Sequence, residues 1–308
     1  MRHLILLMIA LAGFSPALFA ESTVPGDGAP ATKAHRYFFY RASKGDVQLY
    51  FLGSMHMGKP EDPDYPAKVY DALQGSRMFI LEGEVRRDKI RMPDLKYTYL
   101  PEGSKIQKFL TKTENAQLEK ITKALGVHLP SFEHFQPWFM EFMFGYRMAH
   151  NQGFVLEYGT EHRLLRYIER NKNLVEKPRI FALEGSDEVL RNMHKLPMAD
   201  QLTRFRAFLT YSDRTGAGNA VEMQQYWRDG DDEKVLKIFH YYAKEGTEEG
   251  NRFANVLLYD RNRRMAERLA LVSRYPGQYF IVTGALHLIG QKSILDYLKE
   301  AGFKIERL

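Results

Sequence analysis

Two stretches decide the reading of this chain: Val47-Gln48-Leu49-Tyr50-Phe51-Leu52-Gly53-Ser54-Met55-His56 towards one end and Tyr279-Phe280-Ile281-Val282-Thr283-Gly284-Ala285-Leu286-His287 towards the other. Each is a short run of apolar, aromatic and β-branched residues, the composition of a buried strand, and each ends in Gly-x-x-His. The first is followed by a loop with Pro60 and Pro63, a helical pattern over 65–73, and a strand over 78–81 that runs into Glu82-Gly83-Glu84. The second is followed by a helical pattern over 292–300, Gly302 as its stop, and a strand over 304–308. Both ends therefore spell strand, Gly-x-x-His, helix, strand. A crossover helix between two strands is the unit of a parallel sheet, so the simplest architecture sets two such units side by side. The expected fold class is α/β: a mixed or parallel sheet from two βαβ-like halves, with a large helical insert or cap. Each histidine then lies just past the carboxyl end of its strand, where open α/β sheets place their ligands.

Outward from the first strand run, over 47–52, an earlier strand over 37–40 joins it through Lys44-Gly45-Asp46. Apolar spacing of three and four residues predicts helices over 106–125, 135–150, 161–170, 188–193, 201–209, 221–227, 233–242 and 251–272, forming the insert over about 104–275. A strand over 179–183, ending in Glu184-Gly185, interrupts it and can join the sheet. Phe132, Phe135, Trp138, Phe139, Phe142 and Phe144 fall at helical spacing, which points to packing between helices. Residues 1–20 have the three parts of a secretory signal: Arg2 and His3, an apolar run to Phe14, and small residues around Ala17 and Ala20. Residues 21–34 are a Ser-, Pro- and Gly-containing leader, and residues 35–308 are expected to be a single domain.

This organisation predicts a periplasmic or secreted protein with no stable membrane span after signal removal, in keeping with a mean hydropathy of −0.41. There are no cysteines among the 308 residues, which removes disulfides, thiolate catalysis and Cys-type zinc sites. A formal charge of +6 raises the question of polyanions. The basic residues are interspersed with acidic ones, as in Lys234 beside Asp231-Asp232-Glu233, and no nucleic-acid partner is expected.

Chemistry points to the two turns. Gly53 and Gly284 let the backbone bend sharply at a strand end, and the residue three along is directed over the sheet edge. If the two strands are neighbours, His56 and His287 converge. Two neutral imidazoles and a carboxylate form a divalent-metal site with positions open to water, and Glu82 and Glu84, two residues apart, are the carboxylates on offer. One could bind metal while the other orients water. His-Glu-x-x-His, Gly-x-Ser-x-Gly and phosphate-loop patterns are absent, and Ser54 is the only hydroxyl in the first turn, with Ala285 in its place in the second.

The sequence resembles the TraB/GumN family, which includes the Tiki proteins. The resemblance rests on Phe51-Leu52-Gly53-Ser54-Met55-His56-Met57-Gly58, Phe79-Ile80-Leu81-Glu82, Phe135-Gln136-Pro137-Trp138-Phe139 and Tyr158-Gly159-Thr160-Glu161-His162. It continues through Ala182-Leu183-Glu184, Asp260-Arg261-Asn262-Arg263-Arg264 and Val282-Thr283-Gly284-Ala285-Leu286-His287. It implies a metal-dependent hydrolase site with His56, His287 and Glu82 as metal ligands, and Arg261 as a stabiliser of the developing oxyanion. Glu84 or Glu184 would move protons, and Glu161 and Asn262, inside the shared motifs, would support the site. The implied cofactor is Mn2+ or Co2+, with Zn2+ as a further option, and the implied substrate is a peptide or small molecule. The alternatives are a periplasmic protein that binds metal, cofactor or peptide without turnover, and a small-molecule esterase at the same site.

Overall fold

The protein is described here by a computed structural model covering residues 35–86, 88–89, 94–172, 174, 176–215 and 220–308. The expected signal over 1–20 and leader over 21–34 lie outside the described residues. Six strands form one mixed sheet: β1 (Phe39–Lys44), β2 (Val47–Ser54), β3 (Met78–Gly83), β4 (Arg179–Glu184), β5 (Gly277–Gly284) and β6 (Lys304–Arg307), in the spatial order β4-β3-β5-β2-β1-β6. Gly45, at φ 53°, makes the tight turn between β1 and β2, which pair antiparallel. β2, β5, β3 and β4 are mutually parallel. The strand over 179–184 thus joins the sheet at one edge.

The two βαβ units are interleaved and do not stand side by side. β5 inserts between β2 and β3, while β5 and β6 are separated by the β1–β2 hairpin. Burial explains the arrangement. Tyr279, Phe280, Ile281 and Val282 are each at most 1% exposed, so β5 is apolar on both faces and belongs at the centre. Fully burying side chains of this kind contributes about 1.5–3 kcal/mol each. Lys304-Ile305-Glu306-Arg307 alternates exposed and half-buried positions, which suits an edge strand.

Helix α1 (Ala67–Gln74) follows Pro66 and returns the chain from β2 to β3. The insert contributes α2 (Lys112–Ala124), α3 (Pro137–Asn151), α4 (Thr160–Arg170), α5 (Ser186–His194), α6 (Met198–Thr215), α7 (Ala220–Asp229) and α8 (Asp232–Ala243). The helix expected over 106–125 is divided. Residues Ile106–Phe109 form a 3-10 turn, and α2 begins only after Thr111, whose side chain exchanges capping hydrogen bonds with Glu114. The Phe135–Phe144 aromatics pack into the helical layer, with Phe139 and Phe144 at most 2% exposed and Phe135 and Phe139 4.5 Å apart between ring centroids.

The helix expected over 251–272 runs as α9 (Glu248–Ala254), one π turn (Asn255–Tyr259) and α10 (Asp260–Val272), and α11 (Ile294–Glu300) then leads into β6. Sheet and helices share one contiguous apolar core. No helix among the described residues is long and apolar enough to cross a membrane.

Candidate active site

The site forms because β2 and β5 are neighbours. Their parallel register sets Gly53 opposite Thr283 and Ser54 opposite Gly284, so both Gly-x-x-His turns leave the sheet together. On the far flank of β5, Leu81 stands opposite Val282, which carries Glu82 up beside the second turn. The backbone N–H of Gly284 donates to Glu82 Oε2 at 2.8 Å. A Cβ placed on Gly284 would lie 3.4 Å from Glu82 Oε2, 3.4 Å from His287 Cδ2 and 3.5 Å from His56 Nε2. The three side chains therefore converge on the space that the absent methyl leaves free.

Each imidazole is oriented through Nδ1. His56 Nδ1 lies 2.8 Å from Glu161 Oε1, in the first turn of α4. That helix grips the turn itself: Thr160 N donates to Met55 O at 3.0 Å, and Thr160 Oγ1 accepts from Met55 N at 3.1 Å. A Cβ on Gly159 would come within 2.1 Å of His56 O, so glycine is required for this approach. His287, in the 3-10 turn Ala285–His287, has its Nδ1 bonded to Asn262 Oδ1 on α10, and its Nε2 lies 3.4 Å from Glu82 Oε1. Carboxylate and amide partners on Nδ1 fix ring direction and leave Nε2 for the cleft.

Arg261 lies beneath the floor and is 1% exposed. Its guanidinium bonds to Glu82 Oε1, to Glu184 Oε2 at 2.6 and 2.9 Å, and to the Leu257 carbonyl at 3.0 Å. That last acceptor belongs to the π turn, an irregularity frequent at functional sites. Burial disfavours ionised Glu82, yet His287, Arg261 and His56 outweigh it and hold the carboxyl well below the usual range. Burial likewise opposes both partners in the His56–Glu161 pair. Glu161 nevertheless raises the imidazole, and His56 lowers the carboxyl.

Two buried carboxylates, Glu82 and Glu184, thus face one fully buried guanidinium, and a third, Glu161, pairs with His56. Arg264 approaches Glu184 Oε1 only to 3.9 Å, and that oxygen has no hydrogen-bond partner. The excess negative charge beneath two imidazole Nε2 atoms suits either a protonated histidine or a bound cation. Among the described residues, no three His, Asp or Glu side chains already stand as a metal-holding group. The donor chemistry of His56, His287 and Glu82 fits a divalent ion, and closing a three-ligand set requires a shift of at least one of these side chains.

Not every residue named from sequence reaches the cleft. Glu84 lies beyond the end of β3, and its carboxylate is taken up by Arg86, through Nε at 2.8 Å and backbone N at 3.0 Å, so it does not face the histidines. The two-residue alternation fails because the strand stops at Gly83. Arg261 is saturated below Glu82 and does not line the cleft, a geometry that holds Glu82 in place and does not suit an oxyanion donor. Glu184 reaches the site only through Arg261. Ser54 Oγ sits 3.5 Å from the same His56 nitrogen that Glu161 occupies, which leaves it without a free base. Sequence reading had also treated α7 and α8 only as cap, yet Met223, Trp227 and Val235 wall the cleft. Trp227 was a visible signal, being one of two tryptophans; its indole N–H donates to Gly53 O at 2.8 Å.

The Escherichia coli K12 protein YbaP is 23% identical over 263 residues, covering 83% of this chain and 89% of YbaP. A Nematostella vectensis metalloprotease TIKI homolog is 27% identical over 172 residues, 51% of this chain and 35% of that protein. The Danio rerio metalloprotease TIKI2 is 46% identical over 52 residues, 16% of this chain and 10% of TIKI2. No solved structure matches the chain. The model of the TraB/PrgY/gumN family matches residues 38–307, and the chain belongs to that family.

Proposed function

We propose that this protein is a metal-dependent hydrolase of peptide-like amide bonds, exported through its N-terminal segment and working outside the cytoplasm. The observation that carries the reading is the convergence of His56 Nε2, His287 and Glu82 on the open space at Gly284. A similarity to metalloproteases in two partial matches supports the reaction class. Nε2 of His56 and of His287, with Glu82, would hold a divalent ion of the manganese, cobalt or zinc type, which supplies Lewis acidity and acidifies water.

The chain's own residues do the rest. Glu161 and Asn262 hold the two Nδ1 atoms and so aim both Nε2 atoms at one place. Glu82 stays ionised, which makes it a weak general base and a good ligand, and Arg261 with the Gly284 N–H fixes its two oxygens. Met223, Trp227 and Val235 keep the mouth of the site dry.

The test is metal content and turnover. Purified protein reconstituted with manganese, cobalt or zinc should retain metal and cleave members of a peptide library, whereas His56→Ala and His287→Ala should lose both. Equal and negligible metal in wild type and variants overturns the assignment. A second reading, water activation by the His56–Glu161 pair alone, is favoured by the raised basicity of His56. It requires cleavage to survive exhaustive chelation.

A further inference from the structure

Above its polar floor the cleft is walled by Met55, Met223, Trp227, Val235, Leu258 and Leu286. None of these side chains carries a charge, and the one polar atom among them with a hydrogen to donate, the Trp227 indole nitrogen, is already bonded to Gly53 O. The wall therefore has nothing with which to recognise a charged or hydrogen-bonding group, and burying one there would leave it without a partner. The space is also small. It measures about 50 Å3, against the ~150 Å3 that accommodates a benzene ring in an engineered apolar cavity. Leu258, which lines the wall, belongs to the same π turn as the Leu257 carbonyl that accepts from Arg261.

We propose that this wall selects substrates by a small apolar group, of methyl to isopropyl size, adjoining the carbonyl that is attacked, and that Met223 sets the size limit. The inference rests on the hydrolytic reading of the floor and adds the substrate class to it. Ala or Val at that position is accepted. Phe and Trp are too large, and Asp or Lys is refused for want of a partner. Met223 is the wall residue suited to this gate: it lies on α7, it is only half-buried, and its unbranched thioether packs in several conformations. Its truncation widens the cleft without touching the histidines.

The experiment uses the two tryptophans as reporters. The two indole N–H signals of the metal-free protein are assigned with Trp138→Phe. N-acetyl N-methylamides of Ala, Val, Phe and Asp are then titrated into wild type and Met223→Ala. The Trp227 signal is expected to move with the Ala and Val compounds at least about tenfold more readily than with Phe or Asp, and Met223→Ala should bring Phe into the accepted set. The same ranking should appear in the cleavage profile of the metal-loaded protein on a peptide library. Equal response to Asp or Phe in wild type, no response of Trp227 to any compound, or an unchanged ranking in Met223→Ala overturns the proposal. The ranking held without any cleavage would sink the hydrolase reading and leave this one standing.

Discussion

Replacing Arg261 with methionine tests the electrostatic account of the site directly. The substitution keeps an unbranched apolar stem and removes the guanidinium that bonds to Glu82, Glu184 and the Leu257 carbonyl. All three partners stay buried, with Glu82 and Glu184 each 3% exposed. Removing one partner from a buried ion pair costs about 3–5 kcal/mol, because the remaining charge is stranded. For a chain of this size that corresponds to a fall in melting temperature of roughly 5–8 °C.

The pH dependence separates this cause from lost packing. In wild type the Glu82 carboxyl is held below its ordinary value of 4.5, so its stabilisation is present above that value and disappears as the pH falls. Without the guanidinium, burial, the largest influence on this group, pushes the carboxyl upward, and its charged form becomes a penalty near neutrality. The deficit of Arg261→Met should therefore shrink between about pH 7.5 and about pH 5 as the stranded Glu82 carboxylate takes up a proton. Thermal melts followed by circular dichroism at both pH values, on metal-free protein, give the answer. A deficit below about 1 kcal/mol, or one of equal size at both pH values, would refute the reasoning.

Two further outcomes follow from the same geometry. Gly284→Ala should fold with less than about 1 kcal/mol lost, since its new Cβ meets neighbours no nearer than 3.4 Å and the φ of −48° suits any residue. It should nevertheless lower metal uptake about tenfold or more by filling the space between the ligands, and normal uptake by a folded Gly284→Ala protein would contradict the placement of the site. His56 is raised from 6.5 and Glu161 lowered from 4.5. The first contribution to stability is complete below pH 6.5 and fades as pH rises through the folded value; the second is complete above pH 4.5 and fades as pH falls. Urea midpoints of metal-free wild type and Glu161→Gln should thus differ most between those values, and a difference that is no smaller near pH 8.5 would be incompatible with the pair.

Local chemistry was legible in the sequence, and long-range arrangement was not. Gly-x-x-His after an apolar strand is a property of adjacent residues, and its repetition marked His56 and His287 before any fold was known. Glu82 was legible for the same reason, as the acidic end of a buried run. The insertion of β5 between β2 and β3 was not, because each strand carries an apolar pattern compatible with several neighbours, and only the complete burial of β5 chooses the centre. Arg261 was found as a residue but not in its posture. Nothing in Asp260-Arg261-Asn262 announces that a π turn one residue earlier will aim the guanidinium down at two glutamates. Glu84 was misplaced because period-two alternation extends only as far as the strand does.

The central position of β5 also bears on how the protein acquires its shape. Until residues 277–284 arrive, β2 and β3 have no partner along their facing sides, and the apolar half-sheets built earlier present raw edges to any other chain. Joining segments more than two hundred residues apart requires closing a long loop before the contacts form, a topology associated with slow folding. The fifth of the six strands in chain order is thus the one that joins the two halves. Until residues 277–287 are made the cleft lacks one of its two histidines, and a nascent chain at that stage exposes edges that invite aggregation.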